Sequence, residues 1–219
     1  MVTTLTPAEQ RVLLKNISWQ LFESLLQEMG EQRSTRLAYH KGKLELMTPL
    51  WEHENPNRKI EAMVIALVDE LNLNIEMGGS VTLKRPEKAA GKEPDSCYYI
   101  QNETRVRGKK DIDLTQDPPP DLALEIDITS SSLNQLNIYA DLGVPEVWRY
   151  NGRTLKIYQL QNNEYVESNF SPTFPLLPAT KVEEFLEQCQ NLGVTAAVRQ
   201  FREWIKNQLQ NRETERSQG

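Results

Sequence analysis

Pro120-Asp121-Leu122-Ala123-Leu124-Glu125-Ile126-Asp127-Ile128-Thr129 is the most informative stretch of the chain, an alternation of apolar and acidic residues. Side chains on a β-strand point to opposite faces in turn. Leu122, Leu124, Ile126 and Ile128 therefore share one face, and Asp121, Ala123, Glu125 and Asp127 share the other. The first face belongs to a hydrophobic core. The second lines up carboxylates on a strand apolar enough to lie centrally in a sheet. Like charges at that spacing repel, and burying a carboxylate is unfavourable unless something compensates. A bound Mg²⁺ or Mn²⁺, which takes oxygen ligands, is one compensation. Solvation of an exposed polar face is the plainer one.

Outward from this strand, the pattern predicts a mixed α/β (α+β) domain. Thr6-Pro7-Ala8-Glu9 is a capping box with proline at the first helical position, which predicts a short N-terminal helix. Ser18 caps a second helix whose stripe is Phe22, Leu25, Leu26 and Met29 and whose stop is Gly30. Arg36–Tyr39 and Lys43–Met47 flank Gly42 as a hairpin, and Pro56–Leu71 repeats apolar residues at helical spacing. Strands are predicted at Ile75–Lys84 and Asp95–Gln101, joined by a mobile loop from Arg85 to Pro94. Ser130–Ser132 cap a helix over Leu133–Leu142, ended by Gly143 and Pro145. A meander follows at Val147–Tyr150, Thr154–Leu160 and Tyr165–Glu167, then helices at Val182–Gln190 and Val194–Leu209. The expected organisation is a helical extension (1–16), a single domain (17–210) and a frayed polar tail (211–219).

Composition narrows the function. The chain has 219 residues, 25 basic against 31 acidic, for a formal charge of −6. Bulk positive charge for coating nucleic acid is excluded, so any basic surface is local. Two cysteines, Cys97 and Cys189, make no disulfide framework. The first residues lack a basic start and an apolar core, and no run approaches the roughly 18 apolar residues of a membrane span. A cytoplasmic location is expected. Phosphate-binding glycine loops, the GxSxG nucleophile turn and the HExxH zinc motif are missing; Asn57 stands where the second histidine would be.

Hard oxygen ligands remain. Asp95 follows Pro94 at a strand entrance, and on a neighbouring strand it could converge with Glu125 on one ion. An ion held that way polarises a phosphoryl oxygen and makes hydroxide available near neutral pH, the chemistry of phosphodiester hydrolysis.

Three segments carry a resemblance: Glu93-Pro94-Asp95-Ser96-Cys97-Tyr98-Tyr99-Ile100, Pro118–Ser130 around Glu125, and Ile138–Arg149 with its Gly143-Val144-Pro145-Glu146-Val147-Trp148 block. From about Ile17 to Trp204 the chain resembles the bacterial restriction-endonuclease-like proteins of the PD-(D/E)XK nuclease superfamily. That resemblance implies a restriction-endonuclease-like central mixed sheet flanked by helices, and a Mg²⁺-dependent (or Mn²⁺-dependent) endonuclease acting on nucleic acid, DNA first. It also implies metal ligands at Asp95 and Glu125, with a further acidic residue from Glu54, Glu45 competing.

One departure stands out. Two residues after Glu125 the superfamily has lysine, whereas this chain has Asp127. The resemblance points to Gln135 on the following helix as the shifted position. Asp127 could add a metal ligand instead, or Lys84 reach in from another strand. The alternative expectation is a nuclease fold with weak or no turnover, serving as a nucleic-acid or protein interaction module. Between Lys84 and Lys110 eight basic residues face four acidic ones. Arg105, Arg107, Lys109 and Lys110 are candidates for phosphate contact, or form a solvated loop. A homodimer would suit an enzyme that cuts two strands.

Overall fold

A computed structural model describes residues 11–30, 34–48, 51–128 and 133–218. Two sheets form, not one. The first contains β1 (Arg11–Lys15), β2 (Arg36–His40), β3 (Lys43–Met47), β5 (Leu83–Arg85) and β6 (Ala90–Lys92), all antiparallel, in the order β1-β3-β2-β6-β5. The second contains β4 (Glu76–Met77), β7 (Ser96–Tyr99), β8 (Leu122–Ile126), β9 (Glu146–Tyr150), β10 (Leu155–Gln161) and β11 (Glu164–Ser168), in the order β11-β10-β9-β8-β7-β4. Only its β8–β9 pair is parallel, as the intervening helix α4 (Gln135–Leu142) requires of a crossover. The described residues also form the helices α1 (Trp19–Met29), α2 (Trp51–Glu70), α3 (Glu103–Val106), α5 (Ala179–Leu192) and α6 (Val194–Gln218).

β8 separates two cores. Leu122, Leu124 and Ile126 pack with Trp148 against Ile60, Met63 and Val64 of α2, Phe185 of α5 and Phe201 of α6. On the other face Ala123 joins Val147 with Ile138, Tyr139 and Leu142 of α4, and with Leu83 and Ala90 of the first sheet. The carboxylate face of β8 is therefore covered, not solvated. A third cluster, Phe22 with Leu37, Tyr39 and Leu44, fixes α1 to the outside of the first sheet, the Phe22 and Tyr39 rings stacked 4.9 Å apart.

Most predicted elements form near their predicted places. The Ser18 hydroxyl accepts from the Leu21 N–H, and the β2–β3 turn places Lys41 and Gly42 at φ 47° and 86°, the left-handed pair that a two-residue hairpin turn demands. α4 is capped by the Asn134 side chain; Ser130–Ser132 lie outside the described residues.

Four expectations need correction. The capping box at Thr6–Glu9 lies outside the described residues, but residues 11–15 of the expected helical extension are strand, paired in full register with β3. α2 starts at Trp51 and carries Pro56 inside it, tolerable because proline removes a single N–H early in a long helix. α6 continues through the supposed tail to Gln218, since no glycine or proline interrupts it. The segment 85–94 is not a loose loop. Pro86–Lys88 make a single 3₁₀ turn, Ala89 adopts φ 47°, and Ala90–Lys92 return as a strand pairing with both β2 and β5. Gly91 makes room there: a Cβ would lie 2.7 Å from the Phe22 ring.

Candidate active site

β7 and β8 run antiparallel with Ser96 opposite Leu124. Continuing that register by one residue sets Asp95 across from Glu125. The Asp95 Oδ2 accepts from the Ile126 N–H at 2.7 Å, which ties the carboxylate to the neighbouring strand. β6 brings a third group. Its last residue, Lys92, places Nζ 3.2 Å from Glu125 Oε2. From α4, the Tyr139 hydroxyl donates to Glu125 Oε1. Asp95, Glu125 and Lys92 are 5%, 3% and 4% exposed, so the cluster lies inside the seam between the two sheets and α4. One turn before Tyr139, on the same helical face, Gln135 is buried and its Oε1 has no hydrogen-bond partner.

The environment opposes charge on the carboxylates. Burial pushes the Glu125 carboxyl up to about 7; Lys92 opposes this, the Asp95 charge adds to it, and the Tyr139 hydrogen bond pulls it down. Asp95 is also raised, first by burial, against the pull of Arg36, Lys92 and the Ile126 N–H. Arg36 of β2 holds its Nε 3.5 Å from Asp95 Oδ1, donates from Nη2 to Glu54 Oε1 at 3.2 Å and from Nη1 to the Pro94 carbonyl at 3.0 Å.

The four carboxylates expected around a metal are thereby divided. Asp95 and Glu125 come together, while the Arg36 guanidinium stands between Asp95 and Glu54. Asp127, one residue past the end of β8, pairs with Arg149 and lies 3.8 Å from an Arg11 guanidinium nitrogen. Glu45 accepts from the same Arg11 at 2.9 Å and belongs to that network. Among the described residues no three His, Cys, Asp or Glu side chains are gathered so as to hold a metal ion. Lys84 faces outward to Glu23, its Nζ 3.4 Å from that carboxylate. Asp121 serves the backbone, accepting from the Ile100 and Asn102 N–H groups at 2.7 and 3.0 Å and from the Asn102 side chain at 2.7 Å.

The basic run is divided too. Arg107 forms a two-pronged pair with Glu103 at 2.5 and 2.7 Å, and Lys109 pairs with Asp117. Arg105 is exposed, and Lys110 lines a cleft with Arg36, Glu54, Thr82 and Glu93. A second groove, past the end of β8, is lined by Asp127, Asn134, Gln135, Arg149 and Arg153.

Lys92 and Arg36 escaped the sequence reading. Lys92 counted only as one member of a basic run in a presumed loop. Reading Ala89-Ala90-Gly91-Lys92 as a strand, with small residues permitting close packing, would have placed it beside the acidic strand.

An α+β scaffold that brings a Pro-Asp strand entrance beside an acidic central strand is a nuclease-like architecture. The chain belongs to the Uma2 family, described as putative restriction endonuclease, whose model matches residues 19–196. Its fold is similar to the crystal structure of a putative nuclease belonging to DUF820 from Anabaena variabilis ATCC 29413, with TM-score 0.52 and 16% identity, covering 77% of this chain and 98% of that one. No curated protein matches the sequence. No helix among the described residues is long and apolar enough to cross a membrane.

Proposed function

We propose that this protein is a divalent-metal-dependent endonuclease, hydrolysing phosphodiester bonds of nucleic acid, with Asp95 and Glu125 as its metal-holding carboxylates. The observation that carries this reading is the buried pairing of the two across β7 and β8, both raised in pKa by burial. Lys92 and Arg36 already stand beside these carboxylates, and a divalent ion would share the same oxygens with them. The donor set fits Mg²⁺ or Mn²⁺ binding: Mg²⁺ commonly takes one or two carboxylates and keeps water for its other positions, so a third acidic side chain is not needed. Bound there, the ion would polarise a phosphoryl oxygen and lower the pKa of a bound water.

The chain's own groups support that role. The Ile126 N–H aims Asp95, and Tyr139 aims Glu125. The Gln135 amide oxygen, buried and unpartnered, is an acceptor for one hydrogen of the attacking water and would fix its orientation. Lys110 and Arg105 are the exposed cations proposed to meet phosphates; Arg107 and Lys109 are engaged within their own loop.

The test is nicking of plasmid DNA, single-stranded DNA and RNA by purified protein with Mn²⁺, Mg²⁺ or EDTA. Cleavage that needs the metal and falls at least about 100-fold in Glu125→Gln is expected. No cleavage of any substrate, or equal cleavage by the variant, would leave the protein an interaction module built on a nuclease fold.

A further inference from the structure

We propose that Lys92, on β6 of the first sheet, is the cationic catalytic residue of this site, donating to the phosphoryl oxygens that gather charge during cleavage; this rests on the endonuclease reading above. Three observations converge on it. Its Nζ lies 3.2 Å from Glu125 Oε2, with both side chains buried. Its backbone is fixed on both sides, paired with Ala38 of β2 and Leu83 of β5, so the ammonium is held in place by the middle of a sheet and not by a surface loop. Lys84, the candidate named from sequence, is committed to Glu23 and Arg149 to Asp127, and Arg36, beside Asp95, spends its other donors on Glu54 and the Pro94 carbonyl. Gln135 is uncharged.

A buried lysine is an expensive way to fill a core. Its desolvation is offset incompletely by one ion pair, and an apolar residue of similar volume is commonly as stable or more so. Lysine has three donors, and the pair with Glu125 occupies one direction. On this proposal a non-bridging substrate oxygen takes up a second donor. In the reaction, the water oxygen bonds to phosphorus and the bond from phosphorus to one sugar oxygen breaks, that oxygen keeping the electron pair. The water loses a proton to solvent and the departing oxygen takes one up, so one water is consumed. Lys92 exchanges no atom; it donates hydrogen bonds to the non-bridging oxygens as negative charge builds there.

The idea is tested by relocating the charge. Wild type, Lys92→Met and Lys92→Met/Gln135→Lys are compared for plasmid nicking, and separately for the rise in thermal midpoint caused by Mn²⁺ over EDTA. Lys92→Met is expected to keep the Mn²⁺-induced rise, since a charge repelling the ion has gone, while nicking falls about 100-fold. Placing a lysine at position 135, though it removes the amide that orients the water, is expected to recover about tenfold of that loss. If Lys92→Met does not fold, Lys92→Gln keeps a donor toward Glu125 and gives the same readings. Undiminished nicking in Lys92→Met overturns the assignment and leaves the endonuclease reading standing. Loss of both nicking and the Mn²⁺ response in a folded variant also overturns it, reducing Lys92 to a brace for Glu125. A wild type with neither nicking nor Mn²⁺ response removes the endonuclease reading itself, and the lysine's role with it.

Discussion

A glutamate that titrates near neutrality inside a fold is held there at the expense of stability. In metal-free protein the Glu125 carboxyl is pushed up to about 7 from an ordinary 4.5, so between those pH values the folded state binds more protons than the unfolded one. Its contribution to stability is therefore full below about pH 4.5 and is lost as pH rises through 7. The shift corresponds to about 3 kcal/mol. Glu125→Gln is accordingly expected to raise the thermal midpoint in EDTA at pH 8 and to change it little at pH 4. The difference between the two proteins across pH isolates this group from other carboxylates. A variant less stable than wild type at pH 8 contradicts the origin assigned to the shift. Mn²⁺ is expected to reverse the ranking at pH 8, because only the charged pair binds it.

Among elements, β6 decides whether the site exists. It is three residues long, sits between β2 and β5, and ends on Lys92. Gly91 lets it pass beneath Phe22, so Gly91→Ala is expected to destabilise the protein by about 1–3 kcal/mol, read as a lower denaturation midpoint. An unchanged midpoint would show that Phe22 yields freely. The legibility of the sequence divides along the same line. β8, α4 and the β9–β11 meander were readable because alternation, helical spacing and glycine stops act within a few residues. Asp95 and Glu125 were readable because each sits at a marked place on such a strand. β6 was hidden: Pro86 and Gly91 have the composition of a loop, and what makes the segment a strand is pairing with β2, some fifty residues earlier in the chain. Arg36 was hidden for the same reason, its partners at positions 54, 94 and 95 being fixed by tertiary contact alone.

For the whole molecule, two sheets meet along one seam, and the proposed site lies in it. The second fastening of the seam is ionic: Arg11 of β1 reaches both Glu45 of β3 and Asp127 beyond β8, and Asp127 also holds Arg149 of β9. In this network Asp127 and Glu45 are each engaged by arginine. Asp127→Ala is therefore expected to behave as a structural change, lowering stability by about 1–3 kcal/mol because it removes the carboxylate that Arg149 holds and one of the two beside Arg11. It is expected to spare metal binding. The most direct measurement is calorimetric titration of Mn²⁺ into EDTA-stripped, dialysed protein at pH 8, for wild type, Glu125→Gln and Asp127→Ala. Binding that is present in wild type, retained in Asp127→Ala and abolished in Glu125→Gln is the expected result. Binding that survives loss of the Glu125 charge, or that is absent from wild type, would contradict a metal held by Asp95 and Glu125.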